Sequence, residues 1–408
     1  MESEPKRTQT MYKVKHEGLS TALREQVFGA LRTLLQGFQA ADNLAEGKLL
    51  RDYRGEAMQE VYLGLVTVLM RMVFILFAEE HNLLPMSSDL YAKSYSLTQL
   101  YAQLLKDYSE HGDGLATRYG AWARVLTLFR ILHDGRKVAG ELQIPAREGK
   151  LFNPDEFPFL EGRPRGTARQ KEEKLSVPHV SDGVIYQVLN QLLVLDGERL
   201  QYKGLDVEQI GSVYEGLVGF KIEVAEGDSL CLLPEHVVIN LEELLKLPGA
   251  ERIKQLKVKA NLNVKDKATT EVKAATTIAA LHAALRRRVS PRQPGLLPKG
   301  TLYLQPGEER RRSGSHYTPR SLTQPIVETT LRPVLERLRR ENLAPPVPLS
   351  LADEGGSLTT LLSPFTSPPP IPPSARLGEG VEGELSLSPE QILSLKICDP
   401  AMGSGAFL

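Results

Sequence analysis

The feature that most constrains the fold is an almost wholly apolar run over residues 61–78, VYLGLVTVLMRMVFILFA. Its length approaches that of a membrane span. Two features argue against a span: Arg71 lies in the middle, where a charge in hydrocarbon is costly, and the run passes directly into Glu79-Glu80-His81. The run therefore predicts a helix buried on all sides in a soluble bundle, and no membrane partner is expected.

The remaining composition places few limits on function. The 408 residues suffice for two or three domains, and Lys plus Arg equals Asp plus Glu, so only the local distribution of charge bears on nucleic-acid binding. The charged N-terminus lacks the apolar core of a signal peptide. Cys231 and Cys398 lie far apart and match neither a disulfide framework nor a zinc site. A cytoplasmic location is therefore predicted.

Residues 1–140 are predicted to form a helical N-terminal domain. Apolar residues recur at three- and four-residue steps after residue 17, and Pro85 should end the helix that contains the apolar run. Further helices are predicted near residues 98–108 and 119–132. The single tryptophan, Trp122, lies in the second of these and is expected to anchor the core.

Residues 141–300 predict a mixed α/β region, so the fold class before residue 300 is mostly α with some β (α+β). Residues 151–160 (LFNPDEFPFL) have aromatics and prolines without a helical period, which predicts a packed loop. A helix is expected over residues 184–195 and strands over residues 221–233.

A basic stretch covers residues 254–292, and a shorter one covers residues 310–312. Both could neutralise nucleic-acid phosphates, and a merely solvated charged surface is an equally open interpretation. The candidate DNA-binding residues are Arg286, Arg287, Arg288, Arg310, Arg311 and Arg312.

The third predicted domain covers residues 301–408, in which residues 345–380 form a flexible insertion rich in Pro and Ser. Ser388 is placed to cap a short helix, and residues 395–398 predict a buried strand. The strand leads into Asp399-Pro400 and a tight glycine loop, Ala401-Met-Gly-Ser-Gly405, before a helix that would begin at Ala406. A strand, an acidic residue and a glycine turn form a ligand crevice in open α/β sheets.

The string Asp399-Pro-Ala-Met-Gly-Ser-Gly-Ala-Phe407 resembles the S-adenosylmethionine (SAM) motif of adenine-N6 DNA methyltransferases, D-P-A-x-G-S-G-x-F. Ser313-Gly-Ser-His-Tyr-Thr-Pro319 resembles the second SAM-contacting element of that family, which precedes a helix; Pro325 and Pro333 should break or kink the helix. The order of the two elements is that of the gamma arrangement, although the insertion separates them by more than usual. The resemblance implies SAM as cofactor, held by Tyr317, Thr318, Pro319, Asp399, Pro400, Ala401, Gly403, Gly405 and Phe407.

Segments nearer the N-terminus are similar to large methylases of type IIG restriction and of BREX- or DISARM-like defence systems. These segments are residues 71–85, 151–163 and 213–217. The resemblance implies double-stranded DNA as a partner, together with other restriction or defence subunits.

The Asn/Asp-Pro-Pro-Tyr/Phe motif that accepts the flipped adenine in this family is absent. The chain ends at Leu408, directly after the glycine loop. We therefore expect a truncated chain that holds only the start of the methyltransferase α/β domain, is inactive alone, and binds SAM only in the complete protein.

Two other functions stay open. Asp134 with Glu148-Gly-Lys150 loosely fits a nuclease pattern, Asp followed by Glu-x-Lys. The chain could alternatively be a non-catalytic DNA-binding or scaffolding module of a defence complex. No histidines have metal-ligand spacing.

Overall fold

The chain divides into two compact units, Met1–Tyr317 and Thr318–Leu408. Within them, the structure, a computed structural model, describes residues 4–138, 142–169, 176–204, 211, 214, 217–264, 266–307 and 320–343. The described part is mostly helical with small antiparallel sheets, in agreement with the α+β class. Residues 1–140 and 141–300, expected to be separate domains, lie in one compact unit because helices of the first contact helices and strands of the second.

Among the described residues of the first unit, six helices form its body. They are α1 (Glu4–Leu44), α2 (Met58–Glu80), α3 (Asp89–Ser94), α4 (Leu97–His111), α5 (Ala121–Asp134) and α6 (Asp182–Leu193). The apolar run lies in α2, which is long and apolar enough to cross a membrane by composition alone. However, 72% of its most apolar window is buried inside the protein, which fits the core helix of a soluble protein. Trp122 of α5 is fully buried beside Phe38, as expected of a core anchor.

Arg71 is buried in the middle of α2 because the loop over residues 151–169 supplies its partners. Its guanidinium donates to the carbonyl oxygens of Leu151 and, at 3.1 Å, Asn153, and it lies 5.2 Å from the ring centre of Phe129. Burial lowers the pKa of Arg71 to about 10, so the side chain is still charged at neutral pH. The charge that argued against a membrane span is therefore satisfied within the protein.

The same loop is packed, as predicted, around a buried ion-pair network. Glu161 accepts hydrogen bonds from the Nε atoms of Arg130 at 2.7 Å and Arg163 at 3.1 Å. Gly162 between them has φ +75°, and a Cβ there would lie 2.0 Å from the carbonyl oxygen of Ser176. Only glycine fits this turn, which ends the short 3-10 helix Pro158–Glu161.

The described strands form four small antiparallel sheets. Two are hairpins, β1 (Arg136–Val138) with β2 (Leu142–Ile144) and β3 (Val194–Leu195) with β4 (Glu198–Arg199). A third sheet pairs β5 (Phe220–Val224) with β9 (Leu302–Pro306). In the fourth, β6 (Ser229–Leu232) lies between β7 (Val237–Asn240) and β8 (Leu296–Leu297). The strands expected over residues 221–233 are thus confirmed as β5 and β6.

Residues 229–297 are inserted between the paired strands β5 and β9, and we call them the inserted module. Besides β6, β7 and β8 the module has four helices: α7 (Leu241–Lys246), α8 (Gly249–Ala260), α9 (Asp266–Ala274) and α10 (Ile278–Leu285). Leu230, Leu232 and Ile239 face these helices in a separate hydrophobic core. Cys231 and Val238, on the other face of the sheet, pack with Tyr303 of β9. The sheet is therefore buried on both faces, which fixes the module against the body.

In the second unit the structure describes one helix, α11 (Arg320–Leu343). Of the expected break or kink at Pro325 and Pro333, the break is wrong, because the helix runs through both prolines. Thr329 and Thr330 donate their hydroxyl protons to the carbonyl oxygens of Pro325 and Ile326, at 2.6 and 2.7 Å. The two acceptors are the carbonyl groups of Pro325 and of the residue after it, so side-chain hydrogen bonds supplement the helix next to this proline.

Candidate nucleic-acid interface

Helix α8 buries one face against the module and exposes lysines on the other. Arg252, Leu256 and Ala260 recur every four residues and are buried against the module. Lys254, Lys257, Val258 and Lys259 fall on the remaining circumference and are exposed, Val258 by 74%. The helix ends at Asn261, whose left-handed conformation is a common helix terminator.

Arg252 holds α8 in place. Its guanidinium donates to the carbonyl oxygens of Leu245 (3.0 Å) and Leu247 (2.9 Å) at the end of α7. It also donates to those of Val272 (3.1 Å) and Ala275 (2.6 Å) at the end of α9. A cation is favourable at a helix C-terminus, and this one satisfies acceptors that the helices leave unpaired. This role could not be predicted from the sequence, because nothing there distinguishes Arg252 from the neighbouring lysines.

The cluster Arg286-Arg287-Arg288 forms a 3-10 turn directly after α10, and all three side chains are exposed. The backbone beneath is anchored, because the Leu233 N–H donates to the Arg288 carbonyl oxygen at 2.8 Å. Ser290 N–H donates likewise to the carbonyl oxygen of Cys231. The turn therefore carries exposed charges on an anchored backbone, and within the described residues none of the three forms an ion pair.

Not all basic residues of the stretch over residues 254–292 are available to a ligand. Arg292 forms an ion pair with Glu25 of α1 and lies 5.4 Å from the ring centre of Phe28. Lys254 and Lys267 have acidic neighbours on their own helices at 3.9 and 3.7 Å, but such exposed pairs contribute little. Arg292 is therefore paired within the protein, whereas the candidate residues Arg286, Arg287 and Arg288 are exposed. The exposed residues that remain are Lys254, Lys257, Lys259, Lys267, Lys273, Arg286, Arg287 and Arg288.

The composition of the inserted module favours contact with a duplex backbone over a single strand. No Phe, Tyr or Trp occurs between Phe220 and Tyr303. Proteins that bind single strands stack bases on aromatic rings, whereas lysines and arginines alone suffice for duplex phosphates.

The residues assigned to SAM by resemblance lie outside the described part of the chain. This holds for Tyr317, Thr318, Pro319, Asp399, Pro400, Ala401, Gly403, Gly405 and Phe407, and also for Arg310, Arg311 and Arg312. The described helix α11 covers Arg320–Leu343, and the Tyr-Thr-Pro element before it lies outside the described residues. The roles of these residues stay predictions.

The residues of the nuclease hypothesis, Asp134, Glu148 and Lys150, are not arranged around a common metal site. Asp134 makes 2.7 Å contacts with His133 Nδ1 and Arg169 Nη1, one through each carboxylate oxygen. Glu148 comes near because its N–H donates to the His133 carbonyl oxygen at 3.2 Å, but Glu148 and Lys150 are exposed. Among the described residues no group of three or more His, Cys, Asp or Glu could hold a metal ion.

Comparisons with known proteins add no evidence about the function of these residues. No protein-family model, curated protein or solved structure matches the chain.

Proposed function

We propose that this chain supplies the SAM-binding elements and a DNA-contacting module of a site-specific adenine-N6 DNA methyltransferase, in a cytoplasmic restriction-modification or phage-defence system. The observation that carries the proposal is the string from Asp399 to Phe407, together with Tyr317-Thr318-Pro319 upstream in the order of the gamma arrangement.

Each assigned residue type suits part of a SAM site. Gly403 and Gly405 let a ligand approach the backbone without a Cβ in the way. Asp399, at the carboxyl end of the proposed strand of a methyltransferase α/β domain, is placed beside that crevice. By resemblance, Tyr317, Thr318 and Pro319 surround the methionine end of SAM. The bound cofactor would supply the methyl group.

The inserted module supports the DNA-binding half of the proposal. Its lysines on α8 and the arginine turn after α10 offer positive charge without aromatic stacking surfaces, which suits duplex phosphates. Phosphate contacts position a protein on DNA and carry no base specificity. Recognition of a particular site is therefore expected from other residues or from partner subunits.

A non-catalytic DNA-binding or scaffolding module is the second candidate. It is favoured by the exposed basic surface and by the absence of the Asn/Asp-Pro-Pro-Tyr/Phe motif from the sequence. Since that motif would hold the target adenine, we expect residues 1–408 alone neither to methylate DNA nor to bind SAM with micromolar affinity. Calorimetric titration checks the second expectation, and a micromolar dissociation constant would contradict it.

The proposed function is tested in cells that encode the chain, where any missing components are present. Asp399→Ala is introduced at the native locus, with Asp353→Ala, outside both motifs, as the matched control. Single-molecule sequencing then reads N6-methyladenine across the genome. We expect methylation at one recurring sequence to be lost with Asp399→Ala and kept with Asp353→Ala. An unchanged methylation pattern in both strains would leave the scaffolding function as the better account.

A further inference from the structure

A cleft of about 750 Å³ lies between the inserted module and the β5–β9 pair. Its apolar surface includes Ile222 of β5, Val238 of β7 and Val258 of α8. Three carboxylates, Glu223, Glu226 and Glu243, line the same cleft and are exposed to solvent. The cleft therefore combines apolar surface with an acidic rim.

The acidic side chains of the cleft outnumber its basic ones. Tyr303 donates its hydroxyl proton to Glu223 at 2.9 Å, and its pKa is raised by burial and by the nearby Glu223 and Glu226. Within the described residues no basic side chain forms an ion pair with these glutamates or with Glu243. Lys259 is the one basic residue of the lining. A net negative potential results.

The edge of a sheet faces this cleft. Strand β7 is hydrogen-bonded to β6 alone, and on its other side the Val238 N–H donates to the side-chain oxygen of Gln305 at 3.0 Å. The N–H of Val238 is therefore already taken, and its neighbours Val237 and Ile239 pair with Leu232 and Leu230 of β6, so this edge forms a closed wall of the cleft.

The chemistry of the lining selects among ligands. The acidic rim repels nucleic-acid phosphates, and the described residues contain no cluster that could hold a metal ion. Arginine and lysine side chains match the cleft, because their methylene stems pack on apolar surface while their charged ends reach carboxylates.

We propose that this cleft docks a Lys- or Arg-bearing segment of a partner protein. The Arg286–Arg288 turn is not part of the cleft lining, so the inserted module could hold a cationic protein segment in the cleft and DNA at the turn. The proposal goes beyond methyl transfer and does not depend on it.

The test uses the full 408-residue chain and a fluorescein-labelled peptide of alternating arginine and valine. A cleft variant carries Glu223→Gln, Glu226→Gln and Glu243→Gln. We expect saturable binding by the unmodified chain and about tenfold weaker binding by the cleft variant, measured by fluorescence anisotropy. A peptide of alternating glutamate and valine should not bind. Equal binding of the two peptides would overturn the proposal.

A matched control variant carries Glu46→Gln, Glu110→Gln and Glu198→Gln, at exposed positions outside the cleft. It should bind the arginine peptide within about twofold of the unmodified chain. Equal losses in both variants would show non-specific attraction and overturn the proposal. Unchanged hydrogen-exchange protection of α7, α8 and α9 in the cleft variant shows that the module is still folded, whatever the outcome for methylation.

Two further measurements separate a partner protein from other occupants. If Arg310→Ser, Arg311→Ser and Arg312→Ser together tighten peptide binding, the occupant is a segment of this chain. If sedimentation detects self-association that the cleft variant loses, the occupant is a second copy. Either result would overturn docking of a partner protein, and the absence of both supports it.

Discussion

Arg292 donates from Nε and Nη2 to the two carboxylate oxygens of Glu25, which joins the end of the inserted module to α1. The nearby Arg286–Arg288 turn has no such acidic partner among the described residues. Arginines that look equivalent in the sequence therefore have different roles. One fixes the module to the body, and the others are free to meet an anionic ligand.

Replacing Arg286, Arg287 and Arg288 together with serine should weaken duplex binding and make it less sensitive to salt. Each lost phosphate contact lowers the slope of log affinity against log salt by about 0.9. Titrating a labelled duplex over a series of KCl concentrations measures this slope. Arg292→Ser is the control with a smaller charge change, and it should leave the slope unchanged. A slope that the triple replacement does not alter would count against the interface.

Replacing Arg252 with methionine should destabilise the inserted module by about 3 kcal/mol, because four carbonyl acceptors lose their partner. Hydrogen exchange should then accelerate in α7, α8 and α9 but not in α2. Lys254→Met, on the exposed face of the same helix, is the control and should leave exchange unchanged. Unaltered protection in Arg252→Met would show that the four hydrogen bonds of Arg252 do not stabilise the module.

Asp134 should contribute stability only where it is ionised. Burial acts to raise its pKa, but hydrogen bonds from His133 and Arg169 outweigh this, so the pKa lies below the usual 3.8. A depressed pKa stabilises the fold above pH 3.8 and loses that contribution as the pH falls through the folded-state value. Asp134→Asn should thus reduce stability at neutral pH, by less than about 1 kcal/mol for such an exposed pair. Urea unfolding at several pH values checks this, and a deficit that persists at the lowest pH would contradict it.

Cys231 should resist alkylation in the folded chain. The side chain is fully buried, and burial raises the pKa of its thiol to about 11, so little reactive thiolate forms near pH 8. Mass spectrometry after treatment with iodoacetamide should find this residue unmodified until the chain is unfolded in urea. Rapid modification under native conditions would show that the module opens readily.

The sequence was most informative where periodicity alone decides structure. The apolar run of α2, the packed loop around Phe159 and the strands β5 and β6 follow from the pattern of apolar residues. It was least informative where the role of a side chain depends on a partner that is distant along the chain. Arg71 is satisfied by carbonyl groups about 80 residues away, and Arg292 by a carboxylate 267 residues away. The local rule for proline allowed a break at Pro325, and α11 continues through this residue.

The basic interface was only partly predictable. The charge of residues 254–292 was evident, but exposure depends on how α8 and α10 pack. The acidic cleft was not foreseen, because Glu223 and Glu243 lie on different elements. The alternation of Lys221 and Glu223 with buried residues in β5 was the one feature of the sequence that indicated exposed side chains on this strand.

The central claim is that a methyl donor binds beside Tyr317 and Asp399. Ultraviolet cross-linking with methyl-tritiated SAM in extracts of cells that encode the chain tests it directly, since any missing components are present there. We expect label in peptides that contain Tyr317 or Phe407, competition by S-adenosylhomocysteine but not by NAD, and loss of label in Asp399→Ala. Label that survives both the competitor and the substitution, or that NAD displaces equally well, would contradict the account.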